Sequence, residues 1–421
     1  MFFMMMLEYG MDFKKGKGTD MEGQIALADR MKLIKPSPTL AVNAKAKAMK
    51  AAGADILNFS VGEPDFDTPA HVCAAGKKAI DEGFTRYTAV PGIPELREAI
   101  VARYARDRGW KYEADQVQVS CGGKHGLYNM AQAMFGPGDE VLIPTPYWVS
   151  YPPIVLLAGA TPVFVPLSEK DNFDLTAENL NKCATGKTRG IILNSPSNPT
   201  GGIFSAKALA VVAEMAMKRG WVIISDDIYD TIVYDEGPLA HILDVEPKVK
   251  DQTIILNGVS KSFAMTGWRI GYSLGPKHVI AAMNKIQSQS TSNASSIAQK
   301  AALAAVEGPQ DFPGMMKESF VPRLDYIVKE LTSIEGITCV KPSGAFYVFP
   351  NFTAYYGRKF KGKVISGSVE MSEYLLEESF MATVPGAAFG ADEFVRFSFA
   401  TSMESITDGM KRLKEALGKL D

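Results

Sequence analysis

The sequence predicts an α/β fold, with a large domain holding a mostly parallel sheet between helices and a smaller α+β domain built from both chain ends. Three observations predict it. Short apolar strand patterns alternate with amphipathic helix patterns through the middle of the chain, the pattern of a parallel sheet flanked by helices. The last third instead groups a long helix pattern with short strands. The chain has 421 residues, 46% hydrophobic and 22% charged, which is the composition of a globular protein of two or three domains.

Taken in order, the residues before about 70 hold one helix pattern, Ala41–Ala52, and too little core of their own, so they are expected to pack with the C-terminal part. The alternation starts with a strand at Gln116–Ser120 and a helix at Lys124–Met134. It continues with strands at Glu140–Ile143 and Thr161–Val165 and helices at Trp148–Leu157 and Ala177–Cys183. Gly190–Asn194, Trp221–Ser225 and Thr253–Leu256 are further strands, with a helix at Ala206–Arg219. Beyond these the chain predicts helices at Pro322–Ile334, Val369–Ser379 and Ser402–Leu417 and strands at Ala345–Phe349 and Phe394–Ser398. The expected division is residues 1–22 as a flexible extension and 23–70 as the N-terminal part of the small domain. Residues 71–305 are then the large domain, and 306–421 the C-terminal part of the small one.

Charge and cysteine usage narrow the function classes. With 45 Lys+Arg against 47 Asp+Glu the net charge is −2, which lacks the basic field that nucleic acid or an anionic membrane requires. No apolar run is long enough for a transmembrane helix, and the methionine-rich start lacks the basic segment of a signal peptide. Four widely spaced cysteines fit a reducing, cytoplasmic setting. The four histidines lie in no metal-ligand spacing, so no metal is expected.

Four segments carry residues that are odd in a plain scaffold. In Ser260-Lys261-Ser262-Phe263-Ala264-Met265-Thr266-Gly267-Trp268-Arg269, a lysine follows a strand among small and apolar residues. Desolvation there would lower its pKa and free the amine as a nucleophile, while the Arg269 fork could hold a phosphate. The plainer reading is a surface Lys and a surface Arg on a loop. Ser195-Pro196-Ser197-Asn198-Pro199-Thr200-Gly201-Gly202 follows the strand Gly190–Asn194, at the carboxyl end where open sheets bind ligands; as composition alone it is an ordinary turn. Asp226, in Ser225-Asp226-Asp227-Ile228-Tyr229, ends another strand, where it could pair with a ring N–H or simply cap a helix. Cys121-Gly122-Gly123-Lys124 sits between strand and helix, where backbone N–H groups can approach an anion. No GxxxxGK[ST] loop and no strand-linked GxGxxG occurs, which demotes nucleotide binding.

Together with PTPYWVSYP and YTAVPGIPELREAI, these segments resemble the class I aminotransferases of the fold-type I pyridoxal-phosphate (PLP) enzymes. The resemblance runs from about Met31 to the C-terminus and is closest to the branch of aspartate, prephenate and glutamate aminotransferases. It implies that Lys261 forms the Schiff base with PLP and moves the proton, and that Asp226 keeps the ring nitrogen protonated. Asn198 and Tyr229 match the pair that bonds the ring oxygen, and Trp148 the aromatic stacked on the ring. Arg269, Ser260 and the backbone at Gly123 and Lys124 match the phosphate clamp, with Tyr87 reaching it from the other subunit of a homodimer. Arg396 and Gly62 match the holders of the substrate α-carboxylate.

Specificity follows the same resemblance. Some aspartate aminotransferases use an arginine from the partner subunit for the distal carboxylate, and this chain has Ser288 at that position, five residues before Asn293. The other branch uses a Lys and a Thr, which Lys124 and Thr39 match. Three departures stand out: Gly258 where many relatives have Ser, Asp227 where Glu is usual, and Ala294 where Pro is common.

The implied reaction is ping-pong transamination between aspartate or glutamate and a 2-oxo acid. The alternatives are a prephenate or aromatic aminotransferase and a fold-type I β-lyase. A PLP-fold regulator would need a DNA-binding module, and no helix-turn-helix or basic cluster precedes the resemblance.

Overall fold

Why the chain forms a parallel sheet is visible in its strands. In the computed structural model, β1 is Leu57–Asn58, β2 Val117–Ser120, β3 Glu140–Thr145, β4 Thr161–Pro166, β5 Thr188–Asn194, β6 Val222–Asp226, β7 Thr253–Gly258 and β8 Gly271–Leu274. Seven of these form one sheet in the order β2-β8-β7-β6-β5-β3-β4. The run β7-β6-β5-β3-β4 is parallel throughout. Its inner strands are apolar on both faces because helices cover both, so Ile191, Ile192, Ile223, Ile224, Ile254 and Ile255 are all buried. Strand β8 runs antiparallel to both β7 and β2.

The structure describes residue 25 and residues 27–36 and 38–421; the side chains of residues 38–41 and 43 are outside that description. The expected extension at 1–22 therefore lies outside the described residues. Residues 36–421 form one compact unit, and the described residues before it carry a short 3-10 turn at Asp29–Leu33.

Register places the site. Asn194 pairs with Asp226 across β5 and β6, and Asp226 with Leu256 across β6 and β7, so the carboxyl ends of three parallel strands lie side by side. The loops that leave them carry the polar segments singled out above.

A second core gathers Phe59 with Met316, Phe320, Leu324, Phe397 and Met410. Around it lie β9 (Tyr347–Val348), β10 (Lys359–Phe360), β11 (Lys363–Val364), β12 (Met381–Ala382), β13 (Val384–Pro385) and β14 (Val395–Ser398). Strand β1 pairs in parallel with β12, and Lys45 reaches Glu377 at 2.8 Å, so the residues before 70 do meet the C-terminal part. Strand β14 lies between β13 and β9 and carries Arg396 opposite Val384.

Several boundaries differ from the sequence expectation. The helix expected from Trp148 starts at Tyr151, because Pro152 and Pro153 lack the N–H that an inner turn needs and belong in a first turn. Trp148 is thus on the turn that leads into the helix. The helix expected to start at Pro322 runs from Phe312 to Thr332 and passes through that proline. The apolar seam of Met316, Phe320, Leu324, Ile327 and Leu331 continues across it, and Glu318, whose carbonyl loses its partner, is exposed to water. The strand expected at Ala345–Phe349 shrinks to β9, since Ala345 has φ 55° and cannot extend a strand. Strand β8 and the helices Ala70–Asp81, Pro94–Arg108, Lys277–Ser288 and Ser296–Glu307 are additional.

Candidate active site

The polar segments after β2, β5, β6 and β7 converge on one cavity of about 300 Å³. Its lining includes Gly62, Gly123, Lys124, Trp148, Asn198, Asp226, Tyr229, Ser260, Lys261, Arg269 and Arg396. Every residue singled out from the sequence is there except Tyr87 and Thr39. Tyr87 is 91% exposed in the single chain and does not line the cavity. Thr39 belongs to the helix Pro38–Ala51, and its side chain lies outside the described residues.

Lys261 follows β7 by three residues and lines the cavity, with Nζ donating to the Gly62 carbonyl at 2.5 Å. Desolvation lowers its pKa to about 8, helped by the charges of Arg269 and Arg396 and opposed by those of Glu63 and Asp226. A carbonyl partner holds the amine in place whether or not it is charged, so this lysine can exchange a proton near neutral pH.

Asp226 is the last residue of β6 and is 3% exposed. Burial raises its carboxyl to about 7, although Tyr151 Oη donates to it at 2.7 Å and the Ile228 N–H at 3.3 Å. A carboxyl this deep ionises readily only when a cation faces it. Asp227 beside it turns away from the cavity, accepting from Ser225 Oγ at 2.7 Å and lying 3.0 Å from His241 Nε2. The Leu243 N–H donates to His241 Nδ1, so Nε2 carries the hydrogen that Asp227 accepts.

Three cations meet here without an anion. Arg269 donates to the carbonyls of Thr266 at 2.9 Å and Cys121 at 3.5 Å. Lys124 Nζ stands 5.0 Å from the Trp148 ring centroid, and desolvation and the Arg269 charge together lower its pKa. Arg396, buried at 3% exposure, donates through Nη1 to Asn198 Oδ1 at 2.9 Å and through Nη2 to the Ser60 carbonyl at 2.8 Å. Its Nε is buried with no partner among the described residues. No carboxylate among the described residues pairs with any of the three. Like charges left unpaired at one cavity are costly in a scaffold and suit a site that receives anions.

The backbone is shaped for that purpose. Gly122 has φ +85° and caps the helix Gly123–Met134, and a Cβ on it would overlap the Arg269 guanidinium. Arg269 itself holds φ 58°, a conformation that a residue with a side chain adopts only under constraint. The result brings a guanidinium up against the first turn of a helix, where free N–H groups and the helix dipole favour negative charge. Gly258 pairs with Gly271, and a Cβ there would lie 3.0 Å from the Ile270 carbonyl, a tight contact between the two strands. Ala294 is fully buried, with its carbonyl taking the Asn293 amide at 2.7 Å.

Tyr151, Asn194 and Tyr347 also line the cavity, although no role was read for them from the sequence. Tyr151, the first residue of the helix that follows Trp148, donates to Asp226. Asn194 ends β5, donating to the Asp226 carbonyl at 3.0 Å and accepting the Asn198 N–H at 2.8 Å. Tyr347 meets Tyr229, hydroxyl to hydroxyl, at 2.8 Å. Tyr151 lies in the PTPYWVSYP segment three residues after Trp148, and Tyr347 in an apolar run that carries no polar signal.

Among the described residues no cluster of His, Cys, Asp or Glu could hold a metal ion, and no helix is long and apolar enough to cross a membrane.

Known proteins share this architecture. The chain is 46% identical over 390 residues to an aspartate aminotransferase of Geobacillus stearothermophilus, covering 92% of this chain and 98% of that one. It is 47% identical over 390 residues to an aspartate/prephenate aminotransferase of Cereibacter sphaeroides, with the same coverage. The crystal structure of the aspartate aminotransferase from Rhizobium meliloti superposes with TM-score 0.90 at 42% identity, covering 94% of this chain and all of that one. The Thermus thermophilus aspartate aminotransferase with maleate gives TM-score 0.87 at 38% identity, covering 93% and 99%. The family model for aminotransferase class I and II matches residues 54–413, and the chain belongs to that family.

Proposed function

We propose that this protein transfers the amino group of aspartate or glutamate to a 2-oxo acid with PLP, by a ping-pong mechanism. The observation that carries the reading is Lys261, a desolvated amine in a cavity whose other walls supply a buried carboxyl and three unpaired cations.

The residues suit PLP on their own chemistry. The Gly122 approach to Arg269 makes a cradle that a Cβ would fill, and the buried Asp226 carboxyl forms no ion pair among the described residues, with only the Lys261 charge opposing its neutral form. Arg269, Ser260 and the N–H groups at Gly123 and Lys124 would hold the phosphate. Asp226 would hold the ring N–H, Asn198 and Tyr229 the ring oxygen, and Trp148 the ring face. When bound, PLP supplies an electrophilic carbonyl carbon and a ring that accepts the electrons of the broken Cα–H bond.

The remaining work falls to the chain. Lys261 Nζ takes and returns the proton, which its pKa of about 8 allows in both directions. Arg396 binds the α-carboxylate through its fork, and that plane decides which Cα bond lies ready to break. The Asn198 carbonyl already fixes the guanidinium, leaving the Asn198 amide nitrogen as the donor toward a ligand. Lys124 would take a distal carboxylate with Thr39. The dicarboxylate maleate in the Thermus thermophilus structure supports an acidic substrate.

A homodimer is part of the reading. Tyr87, an aromatic exposed on the single chain, would complete the phosphate site of a second copy. A cytoplasmic setting accords with four free thiols.

Prephenate is the second reading, favoured by the name of the 47% identical relative. A half-reaction panel decides between them. The PLP-loaded protein is mixed with aspartate, glutamate, tyrosine or alanine, the aminated protein is then mixed with prephenate or another 2-oxo acid, and the visible absorbance is followed in both directions. Aspartate and glutamate are expected to change it fastest. No response to any amino acid overturns the transaminase reading, and pyruvate with ammonia released from cystathionine identifies a β-lyase.

A further inference from the structure

Tyr347 stands where three parts of the cavity meet, and nothing above assigns it a role. Its hydroxyl is 2.8 Å from that of Tyr229. Its ring centroid lies 4.4 Å from the guanidinium carbon of Arg396. A Cβ on Gly62 would come within 2.9 Å of Tyr347 Oη, so the hydroxyl also abuts the segment whose carbonyl receives Lys261. The residue is 1% exposed, its ring is tilted against Phe346, and its backbone pairs with Ser398 of β14.

We propose that Tyr347 is a positioning residue that couples the hold on the cofactor's ring oxygen, through Tyr229, to the hold on the substrate carboxylate, through Arg396. The inference rests on the aminotransferase reading above. Two facing phenols share one hydrogen bond, and only one of them can donate. Burial raises both pKa values, and the Arg396 charge opposes that rise at both phenols. The Arg396 guanidinium lies 4.4 Å from the Tyr347 ring centroid, and a cation on that ring face polarises its O–H, which makes Tyr347 the donor of the pair. With Tyr347 donating to Tyr229 Oη, the Tyr229 hydrogen is directed away from Tyr347 and into the cavity. The ring of Tyr347 meanwhile backs Arg396 with its π-face, holding the plane of the fork at low cost in side-chain freedom.

The hydroxyl and the ring make separate predictions. Tyr347→Phe keeps the ring and removes the donor. The pH midpoint of the visible absorbance change of the PLP-loaded protein should rise by about half a unit to one unit. Affinity for succinate, a non-reactive dicarboxylate, should stay at the wild-type value, which also certifies a native fold. In a Tyr229→Phe background the same substitution should add no further shift, because the hydroxyl acts through Tyr229. Tyr347→Leu removes the ring and should weaken succinate about tenfold. The coupling is overturned by a Tyr347→Phe midpoint equal to wild type, by an equal shift in the Tyr229→Phe background, or by a Tyr347→Leu protein that binds succinate as wild type does. A wild-type protein that takes up no PLP overturns the aminotransferase reading itself, and the coupling with it.

Discussion

Arg396 and Asn198, 198 residues apart, are joined by a 2.9 Å hydrogen bond inside the cavity, from Nη1 to Oδ1. The bond ties β14 to the loop after β5, so a guanidinium from one core is aimed by an amide from the other. The second Arg396 arm is fixed by the Ser60 carbonyl, and its Nε is left over. A lysine has one charge centre and no fork, so it can satisfy neither arrangement. Arg396→Lys is expected to cut kcat/KM for aspartate by about a hundredfold, mostly through KM. Steady-state kinetics check this, and an unchanged KM would remove Arg396 from substrate binding.

Tyr151 holds the carboxyl that the sequence singled out. It donates to Asp226 at 2.7 Å and thereby opposes the effect of burial. Tyr151→Phe should push Asp226 above its value of about 7, leaving less carboxylate at neutral pH. The variant is expected to lose about tenfold in affinity for PLP at neutral pH. The loss should shrink as pH rises, because carboxylate returns above the pKa. Equilibrium titration with PLP across the pH range checks both, and a loss independent of pH contradicts the assignment.

Lys124 has an aromatic face and a neighbouring Arg269 but no acid partner. Its amine is the cation nearest in kind to what a distal carboxylate needs. Lys124→Ala should lower kcat/KM for aspartate by about ten- to a hundredfold and leave alanine nearly unchanged. Equal losses on the two substrates would assign Lys124 to the cofactor alone.

The free amine of Lys261 is the form that attacks a carbonyl. It is charged below its pKa of about 8 and neutral above it. Stopped-flow mixing with PLP should therefore give an uptake rate that rises with pH and levels off above about 8. A lysine at its ordinary value of 10.5 would keep the rate climbing well past that point, which is the contrary result.

How much of this was legible in the sequence depends on what each residue is for. Asp226 ends its strand and Lys261, Asn198 and Arg269 sit on loops beyond strand ends; each alone has an ordinary structural reading, but together they matched one family's motifs, and all four line the cavity. Strand β8 was not legible. It is four residues long, opens on glycine and lies inside a segment that reads as a loop, and its antiparallel pairing depends on neighbours far away in sequence. Tyr347 was hidden for the opposite reason. Ala345, Phe346, Tyr347, Val348 and Phe349 form an apolar run whose physical meaning is core, and all are buried. Only the tertiary structure brings one hydroxyl of that run against Tyr229. Pro322 misled because proline is a helix starter in isolation, whereas the packed seam on either side of it outweighs one lost hydrogen bond. Tyr87 carries no partner in one chain that would reveal a role.

The central claim is that Lys261 is the amine that joins PLP. Borohydride reduction of the PLP-loaded protein, followed by digestion and mass spectrometry, tests it most directly. The account predicts a single reduced phosphopyridoxyl adduct on Lys261, absent from a Lys261→Ala variant that has lost about 10⁴-fold in turnover. An adduct on another lysine, or a protein that takes up no label, would contradict it.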